Sequence, residues 1–232
     1  SRSQEKADAF GETHDIAACY GSYEELLDDG DVDAVYIAVL HPMHVEWAVK
    51  AAQAGKHILC EKPIGMNCAD ATRAVDAAKE HDVFLMEGFM YRCHPQTEKL
   101  VSLLRAGDIG EVRMIRCTFG FDGGYNLEGR ILKPALGGGA ILDVGCYTVS
   151  MARMLAGVAL GCDVAEPLDV HGVGCLGAES RVDEWATAVL RFENNIAAQL
   201  ATAVRVDLDN EVHIYGSEGT IRVQSPWFCS GA

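Results

Sequence analysis

The first ninety residues alternate short apolar runs with segments of helical periodicity. Apolar runs without polar alternation are typical of buried parallel strands, and three of them lie at 34–39, 57–60 and 83–86. Segments with one apolar face, at 43–54 and 68–81, separate these runs. Repeated strand–helix–strand units predict a doubly wound parallel sheet. We therefore assign residues 1–90 to an α/β domain with a doubly wound parallel sheet.

Residues that start and stop helices support this division. Ser22 and Glu25 have the spacing of a capping box, and Asn67 precedes the second periodic segment as an N-cap. The stretch 3–11 also begins like a capped helix and is expected to end at Gly11.

Beyond residue 90 the pattern changes to one helix, a long strand, a glycine turn with a helix, and a series of extended segments. Strands are expected at 112–121, 169–176, 184–192, 196–206, 211–215 and 220–223, and helices at 95–106 and within 137–157. Several of these strands are rich in Val, Ile and Thr and are separated by turn residues. Residues 91–232 are therefore predicted to form an α+β domain with an open, largely antiparallel sheet.

Composition limits the possible functions. The 232 residues are 49% hydrophobic and 23% charged, as in ordinary globular proteins, and the net charge of -15 argues against nucleic acid as a partner. The absence of an apolar run of about 18 residues and of a charged-then-apolar leader predicts a cytoplasmic protein without membrane contact. Nine cysteines without a Cys-x-x-Cys pair are expected to be reduced core thiols, with no metal site.

The charged pair after the second apolar run is the best candidate for chemistry. Glu61 and Lys62 follow a predicted strand, and Pro63 keeps Lys62 extended while it removes a backbone donor. Ligands bind at the carboxyl ends of strands in such sheets. Alone, the triplet suits a solvated strand end as well as a reactive lysine.

A dinucleotide-binding glycine pattern is present only where its context is wrong. Gly172-x-Gly174-x-x-Gly177 is followed by a polar turn, so it is interpreted as part of a glycine-tolerant strand. The glycine loop that cradles a pyrophosphate is therefore expected before Ser1.

Three spaced segments together resemble the signatures of one family. They are Gly55-Lys-His-Ile-Leu-Cys-Glu-Lys-Pro63, Met86-Glu-Gly-Phe-Met-Tyr-Arg-Cys-His-Pro95 and Gly137-Gly-Gly-Ala-Ile-Leu-Asp-Val-Gly-Cys-Tyr147. The family is the Gfo/Idh/MocA oxidoreductases, and the chain is most similar to the branch of aldose (xylose-type) and dimeric dihydrodiol dehydrogenases. This resemblance implies a nicotinamide-binding Rossmann domain followed by an open-sheet substrate domain. It also implies closing strands after Trp227, because the turn at 216–220 lies well before the family's usual end. The chain is thus expected to be truncated at both ends.

The resemblance also implies roles for three residues. Lys62 matches the family's catalytic lysine, Tyr147 the acid/base position, and Asp143 would orient the site from four residues upstream on the same helix face. Without the motif, Asp143 would be a helix-start carboxylate and Tyr147 a core aromatic.

Cofactor and substrate residues follow less directly from the resemblance. The expected cofactor is NADP, or alternatively NAD, because Arg2 would meet the adenosine ribose; a solvated Arg2 is an equal alternative. Cofactor contacts are expected from Ser1, Arg2, His41, His44, Glu61, Lys62 and Arg92. Substrate contacts are expected from Tyr125, Asn126 and Arg130, which would otherwise form a solvated turn.

The predicted activity is hydride transfer between nicotinamide and the carbinol carbon of an aldose, polyol or related diol. A homodimer or higher homo-oligomer is expected from similar proteins. Two alternatives remain: a non-catalytic nicotinamide or sugar sensor of the same fold, and an inactive fragment.

Overall fold

The computed structural model describes residues 1–228 and divides the chain into two compact units, Ser1–Gly88 and Phe89–Ala232. Cys229, one of the nine predicted thiols, lies outside the described residues. Each unit has its own hydrophobic core.

The first unit contains a three-stranded parallel sheet in the order β1-β2-β3. Its elements are α1 (Gln4–His14), α2 (Tyr23–Asp28), β1 (Ala34–Ile37), α3 (His44–Gln53), β2 (His57–Cys60), α4 (Cys68–Glu80) and β3 (Leu85–Glu87). Helices α3 and α4 connect successive parallel strands, as the alternating pattern predicts. Small residues of these helices, including Ala48, Ala52 and Ala74, are fully buried with Ile58 of β2.

Helix caps in this unit follow the sequence signals, with one exception. The side chains of Ser22 and Asn67 accept the backbone N–H groups of Glu25 and Asp70 at 3.1 and 2.9 Å. The prediction that α1 ends at Gly11 is wrong, because α1 continues to His14. Gly11 is buried in the helix, where a Cβ would overlap the Cys19 sulfur. This glycine therefore permits a close approach and does not stop the helix.

The second unit contains a six-stranded mixed sheet in the order β5-β6-β7-β4-β8-β9. Its elements are α5 (Pro95–Ala106), β4 (Val112–Gly120), α6 (Cys146–Leu160), β5 (Asp169–Leu176), β6 (Asp183–Arg191), β7 (Ala197–Ala203), β8 (Glu211–Gly216) and β9 (Thr220–Gln224). Only the β4–β7 pairing is parallel among these strands. The predicted parallel α/β domain followed by a largely antiparallel α+β domain is confirmed.

The structure tests two further expectations, which concern the glycine pattern and the cysteines. Gly172 and Gly174 lie within β5, so the rejected glycine pattern is indeed part of a strand. The eight described cysteines are free thiols, but the prediction that they are core residues is wrong for Cys68, Cys93 and Cys162, which are exposed. Burial raises the pKa of the Cys60 thiol to about 12.

Helix α6 crosses the core of the second unit. The helical stretch Pro134–Leu160 does have the length and composition that could span a membrane, which the expectation from apolar runs missed, and 67% of its most apolar window is buried inside the protein. Core helices of folded domains pass the same test. Met151, Leu155 and Ala156 of α6 are almost completely inaccessible.

Candidate active site

The Glu61-Lys62-Pro63 segment begins directly after β2, at the carboxyl end of the parallel sheet. Backbone hydrogen bonds hold its start: Glu61 N–H donates to Ile37 O at 2.9 Å, and Gly88 N–H donates to Cys60 O at 2.7 Å. The Lys62–Pro63 peptide bond is cis. The predicted strand-end position of Lys62 is therefore realised in the fold, and the backbone around it is fixed by both neighbouring strands.

Side chains of neighbouring strands also hold this segment. Tyr36 of β1 donates its hydroxyl to Glu61 Oε1 at 2.6 Å, and that hydrogen bond raises the pKa of Tyr36. Glu87 of β3 accepts the Ile64 N–H at 2.8 Å. Glu61 thus has a partner within its own sheet, and the segment on both sides of Lys62 is anchored.

The two histidines after β1 differ in their surroundings. His44 is completely buried, and its Nδ1 and Nε2 lie 2.8 Å from Pro63 O and 3.0 Å from Val39 O. Both ring nitrogens are therefore used to join two strand-end loops, which favours a positioning role over direct cofactor contact. His41 is 6% exposed and begins a short 3₁₀ turn before α3.

Ser1 and Arg2 lie in an exposed segment before α1. The Ser1 ammonium donates to Tyr20 O at 3.2 Å. Arg2 is exposed to solvent, so both the ribose-binding role and the solvated alternative suit its position.

In the second unit, Asp143 and Tyr147 lie on one continuous helical segment. Its first turn, Ile141–Gly145, is π-helical, and α6 follows directly. Single π turns of this kind are frequent at functional sites. Asp143 is 4% exposed, and its Oδ1 accepts Arg130 Nη1 at 2.9 Å in an ion pair. The structure thus joins a predicted orienting carboxylate to a predicted substrate residue.

Aromatic side chains surround Tyr147, which is 4% exposed. Its ring lies 5.3 Å from the rings of both Phe89 and Phe119 in edge-to-face geometry, and 6.0 Å from that of Trp227. The Tyr147 hydroxyl lies 3.3 Å from Met90 Sδ. The packing fixes the ring plane and leaves the hydroxyl as the polar end of the side chain.

The other predicted contacts are distributed differently. Arg92 donates to both the hydroxyl and the carbonyl oxygen of Ser150 on α6, at 2.8 and 3.2 Å. The Asn126 carbonyl accepts the N–H groups of Glu128 and Gly129, both at 3.1 Å, as a turn-forming side chain does. Tyr125 is 51% exposed. Arg92 and Asn126 thus have structural contacts, and Tyr125 and Asn126 are the exposed members of the predicted substrate group.

Sequence reasoning missed several partners of the predicted residues. Tyr36 and Ser150 hold Glu61 and Arg92, yet each lies 25 or more positions away along the chain. Only the parallel pairing of β1 and β2 could have indicated the Tyr36–Glu61 contact. Within residues 1–228, no group of three His, Cys, Asp or Glu side chains could hold a metal ion.

Both units match models of known protein families. Residues 1–89 match the family model described as an oxidoreductase family with an NAD-binding Rossmann fold, and residues 97–222 match the GFO/IDH/MocA C-terminal domain. The chain belongs to the Gfo/Idh/MocA family. The predicted Rossmann-type fold and family resemblance are confirmed.

Curated members of the Gfo/Idh/MocA family resemble this chain over nearly all of its residues. Trans-1,2-dihydrobenzene-1,2-diol dehydrogenase from Xenopus tropicalis is 37% identical over 97% of the chain, and the Homo sapiens enzyme of that name is 34% identical over 99%. The chain spans 66% of the length of each.

Solved family structures agree with this relationship. A 3-ketoreductase from Actinomadura kijaniata, in complex with TDP-benzene and NADP, has a TM-score of 0.84 and 29% identity, covering 98% of this chain and 67% of its own. An aldose-aldose oxidoreductase from Caulobacter crescentus, complexed with glycerol, has a TM-score of 0.86 and 28% identity, covering 98% and 68%. Structures of the ketoreductase include a lysine-to-alanine and a tyrosine-to-phenylalanine variant.

Proposed function

We propose that this chain belongs to an NAD(P)-dependent oxidoreductase that transfers a hydride between nicotinamide and the carbinol carbon of a sugar or related diol. The observation that carries the proposal is the helical segment in which Asp143, paired with Arg130, lies one turn before the packed Tyr147. Family membership and the named dehydrogenase relatives support it.

Features of the first unit fit a nicotinamide cofactor. The strand-end segments His41–Met43 and 61–63 both lie at the carboxyl end of the parallel sheet, where ligands bind in this class of fold. A Cβ at Gly88 would lie 3.3 Å from Cys60 O, so the chain passes closely over the end of β2. We expect Glu61 and Lys62 to hold the nicotinamide side, and the bound cofactor would supply the hydride-accepting carbon.

Lys62 and Tyr147 would divide the proton chemistry. Tyr147 would take the proton of the substrate hydroxyl through its phenolic oxygen, whose ring is held by Phe89 and Phe119. The Lys62 ammonium would stabilise the developing alkoxide charge. Asp143, held by Arg130, would orient the reacting groups of the site from the same helical segment as Tyr147. Tyr125, Asn126 and Arg130 remain the proposed substrate contacts.

The test is the loss of turnover in Lys62→Ala and Tyr147→Phe variants of the full-length protein. General acid–base groups contribute about 10²–10⁴-fold, so we expect kcat to fall by that factor while NADPH binding, followed by its fluorescence, persists. Lys99→Ala and Tyr215→Phe serve as controls on surface and sheet positions. Unchanged turnover in both site variants would reject the mechanism and favour the sensor alternative.

NADP is the preferred cofactor because Arg2 is exposed and can meet a 2'-phosphate, and because the similar ketoreductase was solved with NADP. Arg2→Ala should raise the KM for NADPH several-fold more than that for NADH. An equal effect on both cofactors would leave Arg2 as a solvated residue.

Homodimerisation is proposed through the outer face of the six-stranded sheet. Val173, Trp185 and Val189 share that face in the β5–β6 register and are 73%, 42% and 54% exposed. Contiguous exposed apolar residues mark interaction surfaces. Trp185→Glu should convert a dimer to a monomer in analytical ultracentrifugation, whereas an unchanged sedimentation coefficient would exclude this face.

A cytoplasmic location is also proposed. The support is the set of eight free thiols among residues 1–228, since free cysteines persist in reducing compartments. Detection of the protein in a membrane or secreted fraction would contradict this proposal.

A further inference from the structure

The helical segment that carries Asp143 and Tyr147 has no capping side chain from its own sequence. Neither the π turn Ile141–Gly145 nor α6 has an N-cap side chain that accepts a backbone N–H group. The first N–H groups of a helix have no partner within the helix, and they need an acceptor when they are buried.

Asp183, at the start of β6, supplies that acceptor from a distant part of the chain. Its Oδ2 accepts the Ile141 N–H at 2.6 Å, and the Ala140 N–H also hydrogen-bonds to this carboxylate. A negative charge at a helix N-terminus also interacts favourably with the helix dipole. Asp183 therefore caps the segment from 42 positions further along the chain.

The glycine turn is shaped to admit this carboxylate. Gly139 has a φ of +108°, and a Cβ there would overlap Asp183 Oδ1. Only glycine combines that backbone conformation with the close approach. Gly139, the third of the three consecutive glycines at 137–139, is therefore needed for the close approach of Asp183.

The neighbouring strand fixes the same turn from another direction. Thr202 of β7 is buried and donates its hydroxyl to Ala140 O at 3.2 Å. Two adjacent strands thus hold the peptide groups immediately before Asp143, one as acceptor and one as donor.

Holding a carboxylate at this place is costly, which argues against an incidental contact. Burial raises the pKa of the Asp183 carboxyl, and the groups that stabilise its charge among the described residues are backbone N–H groups. A partly buried carboxylate without a cationic partner is uncommon unless it has such donors.

From this geometry we propose that Asp183 is a positioning residue: it fixes the first turn of the helical segment and thereby the side chains of Asp143 and Tyr147. The functional part of this inference rests on the proposed function above. The structural part does not, because it concerns the order of the turn itself.

The structural part is tested by hydrogen exchange of peptides covering 137–147, measured without cofactor. We expect Asp183→Ala to exchange at least about tenfold faster there, since the hydrogen bonds of the Ile141 and Ala140 N–H groups to a charged group are lost, and Asp183→Asn to lie between it and the wild type. Asp169→Ala, at the start of neighbouring β5, is the control and should not change these peptides. Wild-type exchange in Asp183→Ala would overturn the proposal.

The functional part is tested by steady-state kinetics and a pH–rate profile. A small misplacement of reacting groups can cost about 10²-fold, so we expect kcat of Asp183→Ala to fall 10- to 100-fold with little change in the KM for NADPH. The alkaline limb of the profile should also shift, with partial recovery in Asp183→Asn. Loss of thermal stability with unchanged kcat would overturn the positioning role.

A second variant keeps the test decisive if Asp183→Ala does not fold. Gly139→Ala retains the carboxylate but displaces it, and the same changes in exchange and kcat are expected. If Tyr147→Phe retains full turnover, the proposed function fails, whereas the exchange measurement still decides whether Asp183 orders the turn.

Discussion

Trp227 is the largest fully buried side chain of the second unit, and its replacement should disturb the surroundings of Tyr147. Its indole stacks on Phe119 at a centroid distance of 5.4 Å and an interplanar angle of 8°, and its Nε1–H donates to Thr118 O at 2.8 Å. Thr118 lies in the central strand β4, so this hydrogen bond joins the end of the described chain to the middle of the sheet.

The expected cost can be worked from these contacts. Trp227→Phe removes the hydrogen bond, worth about 1 kcal/mol, and about 40 Å² of buried apolar surface, worth about 1 kcal/mol. Including the carbonyl left without its donor, we expect a loss of about 2–3 kcal/mol. That loss corresponds to a fall in Tm of roughly 4–12 °C for a unit of this size. Trp227→Ala should cost about 3–5 kcal/mol.

The assay is thermal unfolding by circular dichroism, combined with hydrogen exchange of peptides from β4 and α6 to assign the transition to the second unit. Phe10→Leu is the control, because Phe10 is 59% exposed and should change stability by less than about 0.5 kcal/mol. Equal effects of the two substitutions, or a Trp227→Phe variant as stable as the wild type, would refute the reasoning.

Three further predictions concern other parts of the chain. His44→Leu should destabilise the first unit by about 1–3 kcal/mol in urea unfolding, because it leaves a buried carbonyl group without its ring N–H donor. Asn67→Ala should cost about 1 kcal/mol by loss of the α4 cap, as measured in the same way. Hydrogen bonds from Arg222 and His213 lower the pKa of Glu211 to about 2, so its contribution to stability is complete above its usual value of 4.5 and is lost as pH falls towards 2. Glu211→Gln should flatten the stability–pH curve in that window, and a curve identical to the wild type would contradict this assignment.

The sequence predicted the bounds of those helices and strands that are set by residues close together in the chain. Helix α5 and strand β5 have the predicted bounds, because their apolar periodicity and flanking turn residues act over a few positions. The predicted strand at 83–86 is instead Leu85–Glu87, since pairing with β2 sets its ends. The prediction that α1 ends at Gly11 is wrong, because this glycine makes room for the Cys19 sulfur and does not stop the helix.

The same distinction applies to the candidate site. A strand ending in Glu61-Lys62-Pro63 can be predicted from a short run of residues, and so can the one-turn spacing of Asp143 and Tyr147. The partners that hold these groups are set by strand pairing. Tyr36 reaches Glu61 because β1 and β2 are neighbours.

Asp183 shows that residues outside a sequence motif can hold the motif in its conformation. The glycine motif places three glycines before the helical segment. A sequence pattern cannot show that a side chain at Gly139 would overlap the Asp183 carboxylate of β6. The β6–β7 pairing places Asp183 and Thr202 on adjacent strands, and both meet the peptide groups around Ala140. A substitution at either strand can therefore move Asp143 and Tyr147 without touching the motif. Variation in this family's chemistry should accordingly be sought in the strands that hold the glycine turn as well as in the turn itself.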